Sequence, residues 1–183
     1  MFSINKKKAL AGLAGLALAC AASLAQAQSS EGTQGAVGLH YGKGDHYQRV
    51  TLQYETPSLW TYHFGGNWGR LDLTPEFGAS YWWAESGKSP SSVWQANAIP
   101  MFRWWTGERF FIEAGIGATL FSRTTFADKE ISTAFQFGDH VGLGFLLDKN
   151  NRIGLRYSHF SNASIKRPNP GLDVVQATYM YQF

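Results

Sequence analysis

The chain has 183 residues, a net charge of +3 and a single cysteine, and 15% of it is Phe, Trp or Tyr. One cysteine excludes a small domain stapled by disulfides. Lys6, Lys7 and Lys8 account for the whole net charge, so the charge balance gives no support to a nucleic-acid partner.

Those lysines open a segment that reads as an export signal. Ala9 to Ala25 is almost unbroken Ala, Leu and Gly, and Ala25-Gln26-Ala27 is the small-x-small pattern that a signal peptidase reads. A membrane-anchoring helix would need ~20 residues of stronger apolar character. A lipid-modified Cys20 would call for a larger aliphatic residue than Ala17. The chain therefore divides into a signal peptide, 1–27, and one domain, 28–183, which keeps no thiol once Cys20 is removed.

After Ala27 no apolar run is long enough for a spanning helix. Short runs with a period of two recur instead, separated by turn-rich clusters, and this is the pattern of strands. Val37, Leu39 and Tyr41 alternate with Gly38 and His40, and Val50, Leu52 and Tyr54 with Arg49, Thr51, Gln53 and Glu55. Phe110 to Leu120 alternates in the same way, and so does Phe137 to Leu147, where Asp139 interrupts the apolar side. Eight strands are expected, at 34–43, 46–56, 69–84, 92–105, 108–121, 133–147, 152–161 and 172–183. The segment from Pro57 to Gly69 fits a long turn, an extension of the second strand or a short helix.

The connections sort by length. Thr106 to Glu108 and Asp148 to Asn151 are tight, whereas Ala84 to Ser91, Ser122 to Ser132 and Asn162 to Gly171 are long. Short turns at one end and long loops at the other belong to a membrane barrel, as does an apolar series facing out against a Gly, Gln, Arg and Thr series facing in. A soluble barrel would point its apolar series inward. Trp82-Trp83 and Trp104-Trp105 are expected at the strand ends as interfacial girdles. The last strand carries Val175, Ala177, Tyr179, Tyr181 and Phe183 on one face, similar to the terminal signal read by the bacterial outer-membrane assembly machinery. The expected fold is all-β: an eight-stranded antiparallel transmembrane β-barrel, too narrow for an open pore.

Chemistry concentrates at the last hairpin. Residues two apart on a strand share a face, so His159 and Ser161 project together. A return through Pro168 to Gly171 brings Asp173 alongside on the next strand, where cross-strand neighbours sit ~4.5–5.5 Å apart. A base beside a hydroxyl, with a carboxylate to orient the base, is the arrangement of a serine hydrolase. Parity puts all three on the lipid-facing series, at the long-loop end. Ser158 belongs to the opposite face, and Ser164 is less well placed than Ser161. His40, His46, His63 and His140 have no metal-ligand spacing, and neither a metal nor a cofactor is indicated.

The hairpin resembles the lipid A 3-O-deacylase family (PagL). Its hallmarks are a His-x-Ser-Asn segment, here His159-Phe160-Ser161-Asn162, a Lys-x-Pro-Asn-x-Gly turn, here Lys166 to Gly171, and a following carboxylate. The run from Phe111 to Gly117 also looks like that family's middle strand. The resemblance implies cofactor-free hydrolysis of the ester-linked acyl chain at position 3 of lipid A, with His159, Ser161 and Asp173 as the triad. The acid position in that family is often Glu, and here it is Asp173, one methylene shorter. By family position, Asn169 and backbone N–H groups from Asn162 to Ser164 are the candidates for holding the oxyanion. Lys166 and Arg167 are candidates for pairing with lipid A phosphates. The expected partners are lipopolysaccharide and the outer membrane, and whether the barrel forms a homodimer stays open. Two alternatives remain: a non-enzymatic structural or adhesin-like barrel, and another lipid-modifying enzyme, either a phospholipase or a palmitoyltransferase.

Overall fold

The computed structural model describes residues 32–183; the signal peptide expected at 1–27 lies outside them. The elements in chain order are β1 (Ala36–Gly44), β2 (Tyr47–Glu55), β3 (Trp60–His63), β4 (Arg70–Ala84), β5 (Ser92–Trp105), β6 (Phe110–Phe121), β7 (Thr125–Phe126), β8 (Lys129–Glu130), β9 (Phe135–Leu146), β10 (Asn151–Ser161) and β11 (Leu172–Gln182). The eight long strands pair antiparallel in the ring β1-β2-β4-β5-β6-β9-β10-β11, and β11 closes back on β1. The expected transmembrane barrel is the fold observed.

The choice left open at 57–69 settles as a short strand over Trp60–His63, flanked by irregular and turn residues. β3 lies on the same edge of β4 as β2 does, with Trp60 opposite Leu73 and Glu55 opposite Glu76. Thr56 N–H donates to Pro75 O at 3.0 Å and Leu59 N–H to Leu73 O at 2.9 Å, so the edge stays paired across the irregular step. β7 and β8 form a small separate hairpin inside the long loop after β6. The length rule for connections has two exceptions: Asp45-His46 is a tight turn at the long-loop end, and the β3 segment is long at the other.

The barrel is polar inside and apolar outside. Leu39, Leu52, Leu143, Leu155 and Val175 stand exposed on the outer wall. Within, Arg103 Nη2 lies 2.8 Å from Glu55 and 2.9 Å from Glu113, Arg152 lies 2.7 Å from Glu55, and Arg156 lies 2.7 Å from both Glu76 and Glu113. Three guanidinium groups against three carboxylates neutralise one another where neither could stand alone out of water. They fill the middle of the lumen. At the long-loop end Tyr47, Trp82, Phe121, Phe126, Phe160 and Leu172 pack into an apolar plug, with β7 and the neighbouring Ile131 as its lid.

The tryptophan pairs depart from the girdle expectation. Neighbouring residues on a strand point to opposite faces, so each pair is split. Trp82 is buried inside with its indole N–H on Gln95 Oε1 at 2.7 Å, while Trp83 lies outside against Tyr81. Trp105 is likewise internal. Trp104 instead joins an outer aromatic patch with Phe64, which continues through Tyr62 to Trp60.

Candidate functional site

Strand alternation on β10 sends Arg152, Arg156, Ser158 and Phe160 into the barrel and Ile153, Leu155, Tyr157, His159 and Ser161 outward. Ser158 is fully buried, held by His140 Nδ1 at 2.6 Å and Gln176 Nε2 at 2.5 Å. β11 pairs with β10 so that Asp173 stands directly opposite His159. Their side chains meet on the outer wall, with Nδ1 of His159 2.7 Å from Oδ1 of Asp173. An ionised carboxylate can only accept, so Nδ1 carries a proton, and in the neutral imidazole Nε2 keeps its lone pair. Ser161 lies two residues on, half-buried on the same face, and no hydrogen bond links it to His159.

Two tyrosines hold the carboxylate's residue. The Tyr157 hydroxyl donates to the same Oδ1 at 2.5 Å. Tyr47, from the plug, reaches across the end of β1 and takes both backbone groups of Asp173. Its oxygen accepts from the Asp173 N–H at 2.9 Å, and its hydroxyl lies 3.1 Å from the Asp173 carbonyl. Only a bare residue allows this passage. A Cβ at Gly44 would fall 2.1 Å from the Tyr47 ring and 2.4 Å from the Asp173 carbonyl.

The loop from Asn162 to Gly171 is tied down at several points. The Asn162 side chain is buried and donates to Ile131 O at 3.1 Å and Lys166 O at 2.9 Å. Asn162 N–H donates to Asn169 Oδ1 at 3.1 Å, which orients that carboxamide and leaves its Nδ2 as the uncommitted end. Ile165 N–H closes a turn on Asn162 O at 3.0 Å, with Ala163 and Ser164 both left-handed at φ 52° and 62°. Left-handed residues other than glycine cost of order 1–3 kcal/mol each and persist where surrounding contacts over-determine them. Gly171 is also left-handed, at φ 70°, and packs against the His159 ring. Lys166 and Arg167 are exposed. Arg167 lines a cleft of about 660 Å³ with Lys129, Ser164 and Asn169.

Sequence reasoning passed over three residues. Strand parity puts Tyr157 on the lipid-facing series but gives no sign that its hydroxyl meets an acid. Tyr47 is far away in the chain and carried no signal. Asp139, noted only as an interruption, stands opposite His159 from the other side, on β9, and is half-buried on the outer face. It makes no hydrogen bond or ion pair with the described residues. Among them, no cluster of His, Cys, Asp or Glu could hold a metal.

The outer wall beneath the hairpin is grooved. A trough of about 420 Å³ runs by Tyr157, Val175, Leu155 and Leu143. A second, of about 750 Å³, continues over the small residues Gly144, Gly154 and Ala177 between Leu39 and Phe145.

Comparison with known proteins agrees with this picture. Lipid A deacylase PagL of Bordetella bronchiseptica is 74% identical over 180 residues, covering 98% of either chain. The protein of that name from Pseudomonas aeruginosa is 31% identical over 175 residues, covering 94% of this chain and 97% of its own. The crystal structure of the outer membrane enzyme PagL is similar at a TM-score of 0.71 and 25% identity, over 81% of this chain and 99% of that one. The sequence profile of lipid A 3-O-deacylase (PagL) matches residues 46–182, and with these relatives it shows that the chain belongs to the PagL family.

Proposed function

We propose that the chain is a lipid A deacylase of the bacterial outer membrane, exported on its 1–27 segment. In this reading it is a serine esterase that removes the ester-linked 3-hydroxyacyl chain at position 3. The observation that carries the proposal is the His159–Asp173 bond, on the lipid-facing wall instead of in the lumen. The relatives' names supply the substrate class.

With the termini on the periplasmic side, the loop end of the hairpin lies in the outer leaflet. There the sugar headgroup of a lipopolysaccharide meets its acyl chains, and the apolar troughs offer those chains a path down the wall. Ser161 Oγ attacks the ester carbonyl as His159 Nε2 takes its proton. Asp173 keeps the imidazole in the tautomer that can accept and balances the charge it acquires. The imidazolium then gives its proton to the departing sugar oxygen, and water releases the fatty acid from Ser161 by the reverse transfers. The His159–Ser161 hydrogen bond is one that substrate would complete, since catalytic bonds commonly tighten only when substrate is bound.

The tetrahedral oxyanion needs fixed donors. Asn169 Nδ2 and the N–H groups of Ala163 and Ser164 suit this role, because none donates to another group among the described residues. Asn162 supports the loop, since both its side chain and its N–H are committed elsewhere. Lys166 and Arg167 face the headgroup side, where lipid A phosphates would lie.

The test is mass spectrometry of lipopolysaccharide incubated with wild type and with Ser161→Ala. Wild type should release a 3-hydroxy fatty acid and the variant none. Equal loss in both would remove Ser161 from the mechanism. No loss in either would favour a structural barrel, and a mass gain of one acyl chain would mean a transferase.

A further inference from the structure

We infer that Tyr157 is a positioning residue of the reaction, fixing the plane of the Asp173 carboxylate so that His159 keeps its working orientation. This rests on the triad reading above. The Tyr157 hydroxyl and His159 Nδ1 donate to one and the same oxygen, at 2.5 and 2.7 Å. A short aspartate on a strand can turn about its terminal bond and exchange its two oxygens. Two donors on Oδ1 oppose that exchange, and Oδ2 then stays on the far side of the imidazole.

The rest of the local geometry leaves this role to Tyr157. Tyr47 grips only the backbone of Asp173 and places its Cα without governing the carboxylate. Tyr157 projects from the same strand face as His159, two residues nearer the middle of the wall, where its series neighbours Ile153 and Leu155 are purely apolar. A phenol hydroxyl in such a setting requires an acceptor. The one it has is the acid of the triad.

The experiment combines Tyr157→Phe with Asp173→Glu and measures fatty-acid release from purified lipopolysaccharide in detergent. Heat-modifiable gel mobility confirms that each barrel is folded. Tyr157→Phe should lower kcat about tenfold, the rate equivalent of one charge-assisted hydrogen bond, with KM within twofold of wild type. In the Asp173→Glu background the carboxylate reaches one methylene farther and is no longer matched to the phenol, so adding Tyr157→Phe should cost less than twofold. An unchanged kcat in Tyr157→Phe would overturn the inference. So would a rise in KM alone, or an equal loss in both backgrounds, which would mean packing and not carboxylate alignment. Ser161→Ala, run beside them, separates the two claims. Full activity there fells the triad reading and this inference with it. No activity there with full activity in Tyr157→Phe fells the inference alone.

Discussion

Gly171 gives the most stringent test of the site's geometry, because one methyl group should separate catalysis from folding. A Cβ at Gly171 would stand 2.6 Å from Cε1 of His159 and 3.4 Å from each ring nitrogen. The ring is the tip of a side chain and can swing away, so the collision is cheap for the barrel. Swinging away lengthens the 2.7 Å bond to Asp173, so it is expensive for the reaction. A misplacement of ~1 Å in a catalytic group can cost about 10²-fold. Gly171→Ala should therefore lower kcat about 10²-fold. Its stability should fall by only about 1–2 kcal/mol, the strain of an alanine held at φ 70°. Gly87→Ala is the matched control: that glycine is also left-handed, at φ 85°, but has open space where the methyl would go. It should show similar strain and wild-type turnover. Fatty-acid release and urea unfolding in detergent measure the two quantities. Gly171→Ala keeping more than half its turnover, or Gly87→Ala losing as much, would refute the argument.

Asp173→Asn should reduce turnover roughly 10³–10⁴-fold, the scale of losing the group that sets the tautomer, while Asp139→Asn should cost less than about tenfold; the reverse order in the same release assay would move the acid to β9. Arg103→Met leaves Glu55, Glu76 and Glu113 with only Arg152 and Arg156 paired to them, and the one buried negative charge left uncompensated should cost about 3–5 kcal/mol in urea unfolding. A loss under about 1 kcal/mol would mean the lattice does not bear on stability. Asn162→Ala takes away the donor to the Lys166 carbonyl and one of the donors to the Ile131 carbonyl, which keeps Thr133 N–H and Gln136 Nε2. The loop should then be cut by trypsin after Lys166 several times faster than in wild type, and equal rates would contradict its anchoring role.

The eight strands were legible because one variable, the alternation of apolar and polar residues, reports both strand and facing. The tryptophan pairs were misread where composition was allowed to override that alternation: Trp82 and Trp83 cannot both look at lipid. The lumen lattice was legible only as inward parity. Arg152 and Glu55 are 97 positions apart, and their meeting depends on how the sheet closes, which no local pattern carries. The same division runs through the site. His159, Ser161 and Asp173 lie on one hairpin, so strand parity and a single turn bring them together. Asp139 lies on β9, across from His159, and the parity of the last hairpin carries no information about that neighbouring strand. Tyr47 escaped because it acts over 126 positions, through a gap left by Gly44.

The inverted barrel also explains why a polar site sits on its outside. The middle of the lumen is occupied by three guanidinium groups and three carboxylates that neutralise one another, and carving a substrate cavity there would strand carboxylates or guanidinium groups at several kcal/mol each. The outer wall has no such lattice, but a charge there has a cost that depends on depth. It is roughly 2–4 kcal/mol for a cation at mid-bilayer and about 0–1 near an interface. Ser161 is the last residue of β10 and Asp173 the second of β11. That is as shallow as a paired strand allows. Moving the same trio four residues down, to the level of Leu155 and Ala177, would keep every cross-strand distance. Under the proposed mechanism it would nevertheless place the developing imidazolium where the membrane opposes it most, and raise the barrier by that difference. On that mechanism the site's position along the strands bears on rate as well as on stability.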